Sequence, residues 1–568
     1  MTVYESCGME EIMNFSYLTT ASYCIFILLV SVNVRRVYLQ TKHKWPILSL
    51  ILMVTFGLIF VWIPLHLLLV ILWLYRNIVH YYLRFKHRSD FGGIIGGSDV
   101  IYLPGDHERN VISVLVMLEC TKMQRSQNIY VTYKKIIHDS FFTDPDKFLP
   151  LHCAYKMFGG YCYMVRVNPS VDDCVKKMDN VKTTNGKLNE DDLTELLNKC
   201  CNGPLPKNNT LFWDSFVGTQ PVNWSVGDRS NVLCYPVLIR VHHSISDGFA
   251  VGQLFSIVAD KHAYSKQDSL HSYVRKLKQQ NTHEKLWYKI TIIIYALIYN
   301  ISEVLMLILK KNSVSILRDV RLSNVEIRTI KIGNGDHFKK IKRIKDSISG
   351  ARFSHIVLTA ISASFEEFLM KKSQCPEQIL LAVPSLPKAT LLLQIPLGQL
   401  KPKNISFHNS FIMFKLVTPL VIRDYKNSDM MMHQRFGLVQ KYTEKTSNSI
   451  VNKVMQFWTE IALQVIPIAV LERTNDILQW TNIVSILPGP GQVSLNNGNL
   501  AIRNILFWTP LLNGVGINIS LLTYDNKLHF GLKVDKALIS NVDDAQSILN
   551  GIFKYLDIFA QEVELKTQ

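Results

Sequence analysis

Cysteine is sparse in this chain and poorly placed for pairing. There are ten in 568 residues, and Cys200–Cys201 is the one close pair. No disulfide framework and no metal-ligand spacing runs through them, and no HExxH occurs. This points to a reducing compartment and away from a structural or catalytic zinc site. The chain also lacks zinc-finger spacing and the aromatic–basic signature of an RNA-binding module. No internal repeat or low-complexity segment stands out. Acidic residues are in deficit, 45 Asp and Glu against 62 Lys and Arg, for a net charge of +17. With no nucleic-acid motif, that surplus favours acidic lipid headgroups or phosphorylated ligands over nucleic acid.

Apolar residues, by contrast, are abundant: 48% of the chain, with a mean hydropathy of +0.12. Both are high for a soluble protein, so part of the apolar surface is expected to meet lipid. Ser16 to Val32 is an apolar run preceded by Glu5, Glu10 and Glu11 and followed by Arg35–Arg36. A secretory signal carries its positive charge before the run, so this pattern reads as a retained anchor with a non-cytoplasmic N-terminus. A second run, Trp45 to Tyr75, is too long for one upright span and holds Pro64 near its middle. Basic residues flank both ends. The pattern fits either a hairpin kinked at Pro64 or one tilted span. A third run, Leu286 to Leu309, is about 36 Å long as a helix. It carries Lys289 and Glu303 and suits a spanning, interfacial or internally packed helix.

Between these runs the pattern is mixed helix and strand. It predicts strands at Tyr161–Val167, Val232–His242, Asn324–Ile332, Val515–Leu522 and Leu528–Val534, the last two around an Asp525–Asn526 turn. It predicts helices at Asn189–Lys199, His337–Ile348 and Ser354–Leu369. The third of these regions divides the chain into an anchor at 1–88, a first α/β region at 89–265, a polar, basic linker with its apolar helix at 266–320, and a second α/β region at 321–568. Lys339, Lys340, Lys342, Arg343 and Lys345 crowd one predicted helix. They read as a solvated face or as a contact for phosphates.

The stretch Val241-His242-His243-Ser244-Ile245-Ser246-Asp247-Gly248 is the most informative. A β-rich run ends there and an apolar segment follows. Neutral imidazole suits the removal of a hydroxyl proton at neutral pH, as acyl transfer from a thioester to an alcohol demands. Asp247 is placed to organise the turn through an Arg or backbone N–H groups rather than to complete a triad. Gly248 would permit a close approach or an unusual φ. The plainer alternative is a buried, hydrogen-bonded His pair that ends a strand.

This motif resembles the HHxxxDG signature of coenzyme A-dependent acyltransferases, and the wider chain resembles the wax ester synthase/diacylglycerol acyltransferase family. The segment from Pro204 to Trp213 is similar to the family's stretch ending in Pro-Leu-Trp. Val383–Pro384 and His408–Asn409 fall where the family has Val-Pro and Gly-Asn. Val484 to Pro490 resembles its VSNVPGP segment, and Asn513–Asn518 with Leu522–Tyr524 its final strands. The resemblance runs from about residue 90 to the C-terminus. It implies an α/β fold of two chloramphenicol acetyltransferase-like domains, with the N-terminal membrane anchor in addition. It implies a tunnel between the domains with His243 as general base, and His242, Asp247 and Gly248 completing the motif. Ser354, Asn409 and Asn518 become candidates for substrate binding or oxyanion stabilisation. The implied partners are acyl coenzyme A, as substrate and with no other cofactor or metal, and a lipid alcohol. Attack would be direct, without an acyl-enzyme. A long-chain alcohol would give a wax ester and diacylglycerol would give triacylglycerol.

Two departures bear on the site. Ser354–His355 stand where the family has an Asn-Asp pair, and Ile486 replaces the Asn of VSNVPGP. They keep a lipid-binding or scaffold relative without turnover as an alternative, against which the intact His242–His243 and Asp247–Gly248 argue. A shared tunnel also requires both domains on one side of the membrane, so Leu286–Leu309 is not expected to be one complete crossing. The coenzyme A pool implies a cytosolic catalytic face, and neutral-lipid synthesis implies the endoplasmic reticulum membrane.

Overall fold

The computed structural model describes residues 2–103, 110–120, 128–183, 185–223, 233–259, 282–309, 321–323, 325–372, 375–385, 407, 409, 411–421, 430–447, 449–474, 482–511 and 515–567. The chain forms two compact units. One comprises Met1–Tyr75, Thr282–Ser313 and Ser449–Trp458, and the other Arg76–Asn281, Val314–Asn448 and Thr459–Gln568.

The first unit is helical. Thr2–Gln40 is one helix. Ile47–Gly57, a π-helical turn at Leu58–Trp62 and Ile63–His87 then follow without a break. The hairpin reading at Pro64 is therefore corrected. Proline has no N–H to donate one turn back, and the widened π turn just before it takes up that defect while the helix continues. Among the described residues, three stretches are long and apolar enough to cross a membrane: Thr20–Gln40, Ile47–Asp90 and Lys289–Met306. The Thr282–Leu309 helix packs on the others rather than standing alone. Ile301, Leu305 and Met306 meet Val34, Val37, Leu50, Val54 and Leu58 in one buried cluster. Asn33 Nδ2 donates to Ile298 O at 2.8 Å, and its Oδ1 accepts from Ser302 N at 3.1 Å. Arg36 Nε donates to Glu303 Oε1 at 2.9 Å. Polar groups that would be costly alone in an apolar setting are thus paired between helices.

The second unit is α/β. Its strands are β1 Phe91–Ile94, β2 Val111–Cys120, β3 Cys153–Phe158, β4 Tyr161–Arg166, β5 Val175–Lys177, β6 Trp213–Val217, β7 Leu233–His242, β8 Glu326–Ile332, β9 Gln378–Ser385, β10 Ile412–Pro419, β11 Asn482–Pro488, β12 Ser494–Leu495, β13 Leu500–Trp508, β14 Ile517–Tyr524 and β15 Lys527–Asp535. They form a small sheet, β1-β4-β3, and two six-stranded sheets, β12-β13-β2-β7-β6-β5 and β10-β9-β11-β14-β15-β8. The segment 321–568 does not close on itself. β12 and β13 leave it and join the N-terminal sheet, where β13 pairs antiparallel with β2. The central strand β2 is buried on both faces. Ile112, Val114, Val116 and Leu118 enter one core, and Leu115 and Met117 another.

Buried charge ties β8 and β15 to each other and β8 to the Glu190–Cys201 helix. The backbone N–H of Arg328 on β8 donates to Asn198 Oδ1 at 3.1 Å, and its Nη1 donates to Asn202 Oδ1 at 3.1 Å. Both asparagines belong to the Glu190–Cys201 helix and its cap. Glu326 Oε2 accepts from Arg328 at 2.6 Å and from Lys533 at 2.8 Å. Burial holds the Lys533 ammonium down to about 8, and Glu326 resists that shift. A second buried pair pins the approach to the His motif. Arg240 on β7 bonds Asp214 on β6 through two nitrogens at 2.8 and 2.6 Å, and its remaining donors reach Cys200, Gly203 and Pro204 carbonyls. All of its N–H groups are thereby satisfied within the core, which a buried guanidinium requires.

Candidate active site

The predicted strand before the His pair forms, and β7 ends at His242. A tight turn follows, with Ile245 N donating to His242 O at 3.2 Å. The two histidines diverge at that point. The His242 backbone N–H donates to Phe212 O at 2.8 Å and its ring lies 4.2 Å from the Phe212 ring. Its Nδ1 accepts from the Ser244 backbone N–H at 3.3 Å and sits 2.7 Å from Ser244 Oγ. An accepting Nδ1 puts the ring proton on Nε2. His242 is thus a bonded core residue that shapes the turn.

His243 faces a different set of neighbours. Its backbone N–H donates to Asn110 O at 2.7 Å. Its ring stacks on Tyr102 at 3.9 Å with 7° between planes, and Phe411 meets it edge-on at 5.6 Å. Nδ1 makes no hydrogen bond among the described residues. Burial lowers the imidazole to about 4, against its own carbonyl and the Asn409 side chain, which both favour the protonated form. At neutral pH the ring therefore holds an open lone pair, the form a proton acceptor needs.

Asn409 is brought directly to this centre. Its Nδ2 donates to His243 O at 2.5 Å and to Asp99 Oδ1 at 2.7 Å, and its backbone N–H donates to the same Asp99 oxygen at 2.6 Å. Ser98 Oγ donates to Asn409 O at 2.6 Å. A residue from the second α/β region is therefore held against the His of the first. Burial pushes the Asp99 carboxyl well above the usual carboxylate range; the two Asn409 bonds oppose this and the charge of Asp247 adds to it. Asp99, Tyr102 and Phe411 are absent from the motif-based site. Asp99 carried a usable signal, a lone carboxylate against the apolar run Val100–Leu103 just before β2.

Asp247 caps the Gly248–Val258 helix, its Oδ1 accepting from Ala250 N at 2.8 Å. Of the two organising roles open to it, this is the one through backbone N–H groups. Gly248 has an ordinary φ; a Cβ there would lie 2.7 Å from Leu487 Cδ1, so close approach is what it permits. Leu487 belongs to the segment resembling VSNVPGP, where Gly489 is under a harder constraint. A Cβ at Gly489 would lie 2.0 Å from Thr523 O.

No hydrogen bond joins either of the other two candidates to His243 among the described residues. Ser354 opens the Phe353–Lys371 helix. Its neighbour His355 is fully buried, 6.3 Å edge-on to Phe436, and neither ring nitrogen has a hydrogen-bond partner among the described residues. Asn518 lies in β14, and its Nδ2 bonds Thr509 Oγ1 and, at 3.4 Å, Pro510 O. His408 and Asn513–Gly514 lie outside the described residues. The basic helix face is in large part paired: Lys340 with Asp557 at 2.8 Å, Arg343 with Glu564 and Lys339 with Asp336 at 3.9 Å. That arrangement is a solvated, salt-bridged face.

Comparison with known proteins adds the following. Residues 416–556 match the family described as WS/DGAT C-terminal domain. The fold is similar to that of the wax ester synthase/diacylglycerol acyltransferase from Marinobacter aquaeolei VT8, at 12% identity and a TM-score of 0.52 over 83% of this chain and 99% of that one. It is also similar to TRI3 trichothecene 15-O-acetyltransferase from Fusarium sporotrichioides, at 10% identity and a TM-score of 0.56 over 82% and 94%. At these identities the likeness is one of fold. No curated protein sequence matches the chain.

Proposed function

We propose that this chain, whose residues 416–556 match the WS/DGAT C-terminal domain family, transfers a fatty acyl group from acyl coenzyme A to a long-chain alcohol, giving a wax ester. The observation that carries this is the contact between His243 and Asn409, which joins the two α/β regions at a buried imidazole kept in its base form. In this reading the alcohol oxygen attacks the thioester carbonyl as His243 takes its proton. The tetrahedral adduct then collapses, the C–S bond breaks, and the imidazolium returns the proton to the departing thiolate. The products are the ester and coenzyme A, with no acyl-enzyme. Tyr102 and Phe411 hold the ring plane, and Asn409 holds the His243 main chain, so the base meets its substrate pre-oriented.

The acceptor is a lipid alcohol in this reading, and diacylglycerol is the competing one. Apolar sites separate similar chains weakly. The three apolar helices are proposed to hold the protein in the endoplasmic reticulum membrane with the α/β unit on its cytosolic face. The test uses microsomes that express the chain, labelled acyl coenzyme A, and a long-chain alcohol or diacylglycerol. Labelled wax ester is the expected product. Triacylglycerol in its place would reassign the acceptor. No ester with either alcohol would favour the scaffold reading.

A further inference from the structure

The helix that carries the second apolar stretch does not end with it. Ile47–Asp90 is 44 residues, about 66 Å of helix, while a bilayer core is only about 30 Å thick. Its last third must emerge, and an apolar stripe runs on into it. Leu67, Ile71, Leu74, Ile78, Tyr81 and Phe85 recur at three- and four-residue intervals and are all exposed, Phe85 at 81%. The opposite face of that last third is occupied: Val79 and Leu83 pack on Tyr161, Tyr163 and Val165 of β4. The exposed stripe is then widened by the β3–β4 hairpin. Phe158 stacks on Tyr82 at 5.0 Å, and Met157 beside it is 57% exposed. Cations border the apolar area. Arg84 and Lys86 flank the stripe on either side, Arg88 follows, and Lys156 lies on the hairpin; all four are exposed. Lys86 Nζ lies 5.9 Å from the Tyr82 and Phe158 ring centres.

From this arrangement we infer that Ile78–Phe85 and the tip of the β3–β4 hairpin form an interfacial surface, by which the α/β unit itself rests on a bilayer containing anionic lipid. Water alone would leave a contiguous aromatic patch unpartnered. Aromatic rings with a basic border suit the headgroup–acyl boundary. The occupant is a lipid surface because the stripe continues, without a break, the exposed face of a membrane-type helix, and because the border is cationic. This inference rests on the reading that Ile47–Asp90 enters the bilayer; it does not depend on acyl transfer.

The test places p-benzoyl-phenylalanine singly at Phe60, Phe85, Phe158 or Val131 in the full chain, reconstituted in nanodiscs of phosphatidylcholine with radiolabelled phosphatidylserine. Phe60 lies in the apolar stretch, and Val131 is an exposed apolar residue on the Ile129–Ile137 helix outside the patch. Irradiation is expected to transfer lipid label to Phe60, Phe85 and Phe158 and to leave Val131 at background. Label at Phe60 alone, or crosslinking of Phe85 and Phe158 to protein instead, would overturn the docking surface. No label at Phe60 would overturn the membrane reading beneath it, and the surface with it. Thermal unfolding of each variant at the wild-type temperature establishes that it is folded, as expected for such exposed positions.

Discussion

At the scale of single residues, the site depends on what burial does to ionisable groups. His243 is lowered to about 4, so it is already the free base at neutral pH and stays so until the pH falls through that value. Activity is expected to hold from pH 8 down to about 5, with its acid limb near 4. A limb near 6.5, the ordinary imidazole value, would show that the ring is solvated in the working enzyme. Asp99 makes a sharper case. Its raised pKa favours the neutral acid, and what it offers Asn409 is an accepting oxygen. Asp99→Asn keeps that oxygen and is expected to retain most of the activity. Asp99→Ala strands the Asn409 donors and is expected to destabilise the unit by roughly 1–3 kcal/mol and to lower kcat. Equal losses in the two variants would mean that the charge, not the acceptor, matters. The motif was legible because its chemistry is local: His, His and Asp–Gly fall on one turn. Tyr102 and Phe411 were not, and Asp99 only as a carboxylate against an apolar run, because all three reach His243 from distant parts of the chain. Ser354 and Asn518 came from the resemblance alone, and alignment of a motif carries no information about which neighbours the fold gives them.

At the scale of elements, turn chemistry rather than a wet face made a strand readable, since Lys527–Asp535 is buried along nearly its whole length. Lys527–Asp535 and its partner showed themselves through the Asp525–Asn526 turn, where both residues adopt positive φ and thereby match the twist of a two-residue hairpin. Val111–Cys120, by contrast, was not legible. Apolar on both faces, it has no alternation to read. The crossing of β13 to the N-terminal sheet was likewise hidden, since only its pairing with β2 reveals it. The clearest element-scale test is the Arg240–Asp214 pin between β6 and β7, both groups fully buried. Arg240→Met alone leaves Asp214 buried without its partner and is expected to cost about 3–5 kcal/mol. Asp214→Leu combined with it is expected to recover much of that loss. Chemical denaturation of the purified variants in detergent measures both. A double variant no better than the single one would show that the carbonyl contacts of Arg240, not the ion pair, hold the loop.

At the scale of the whole molecule, acid sensitivity follows from the same burial. His243 and His529 are both held near 4, while in the unfolded chain each titrates near 6.5. Between those values the unfolded state binds the extra protons, so stability falls as pH falls, by about 1.4 kcal/mol per pH unit for each group. His529→Gln, which keeps a donor for Asn504, is expected to flatten the slope by one proton between pH 6 and 4.5. An unchanged slope would contradict the burial of that ring. The central claim is that His243 is the base of an acyl transfer. Its most direct test is the rate of labelled ester formation by His243→Gln against wild type, in microsomes at equal protein level and at saturating acyl coenzyme A and alcohol. A fall of roughly 10²–10⁴-fold is predicted; ester formed at the wild-type rate would contradict the account.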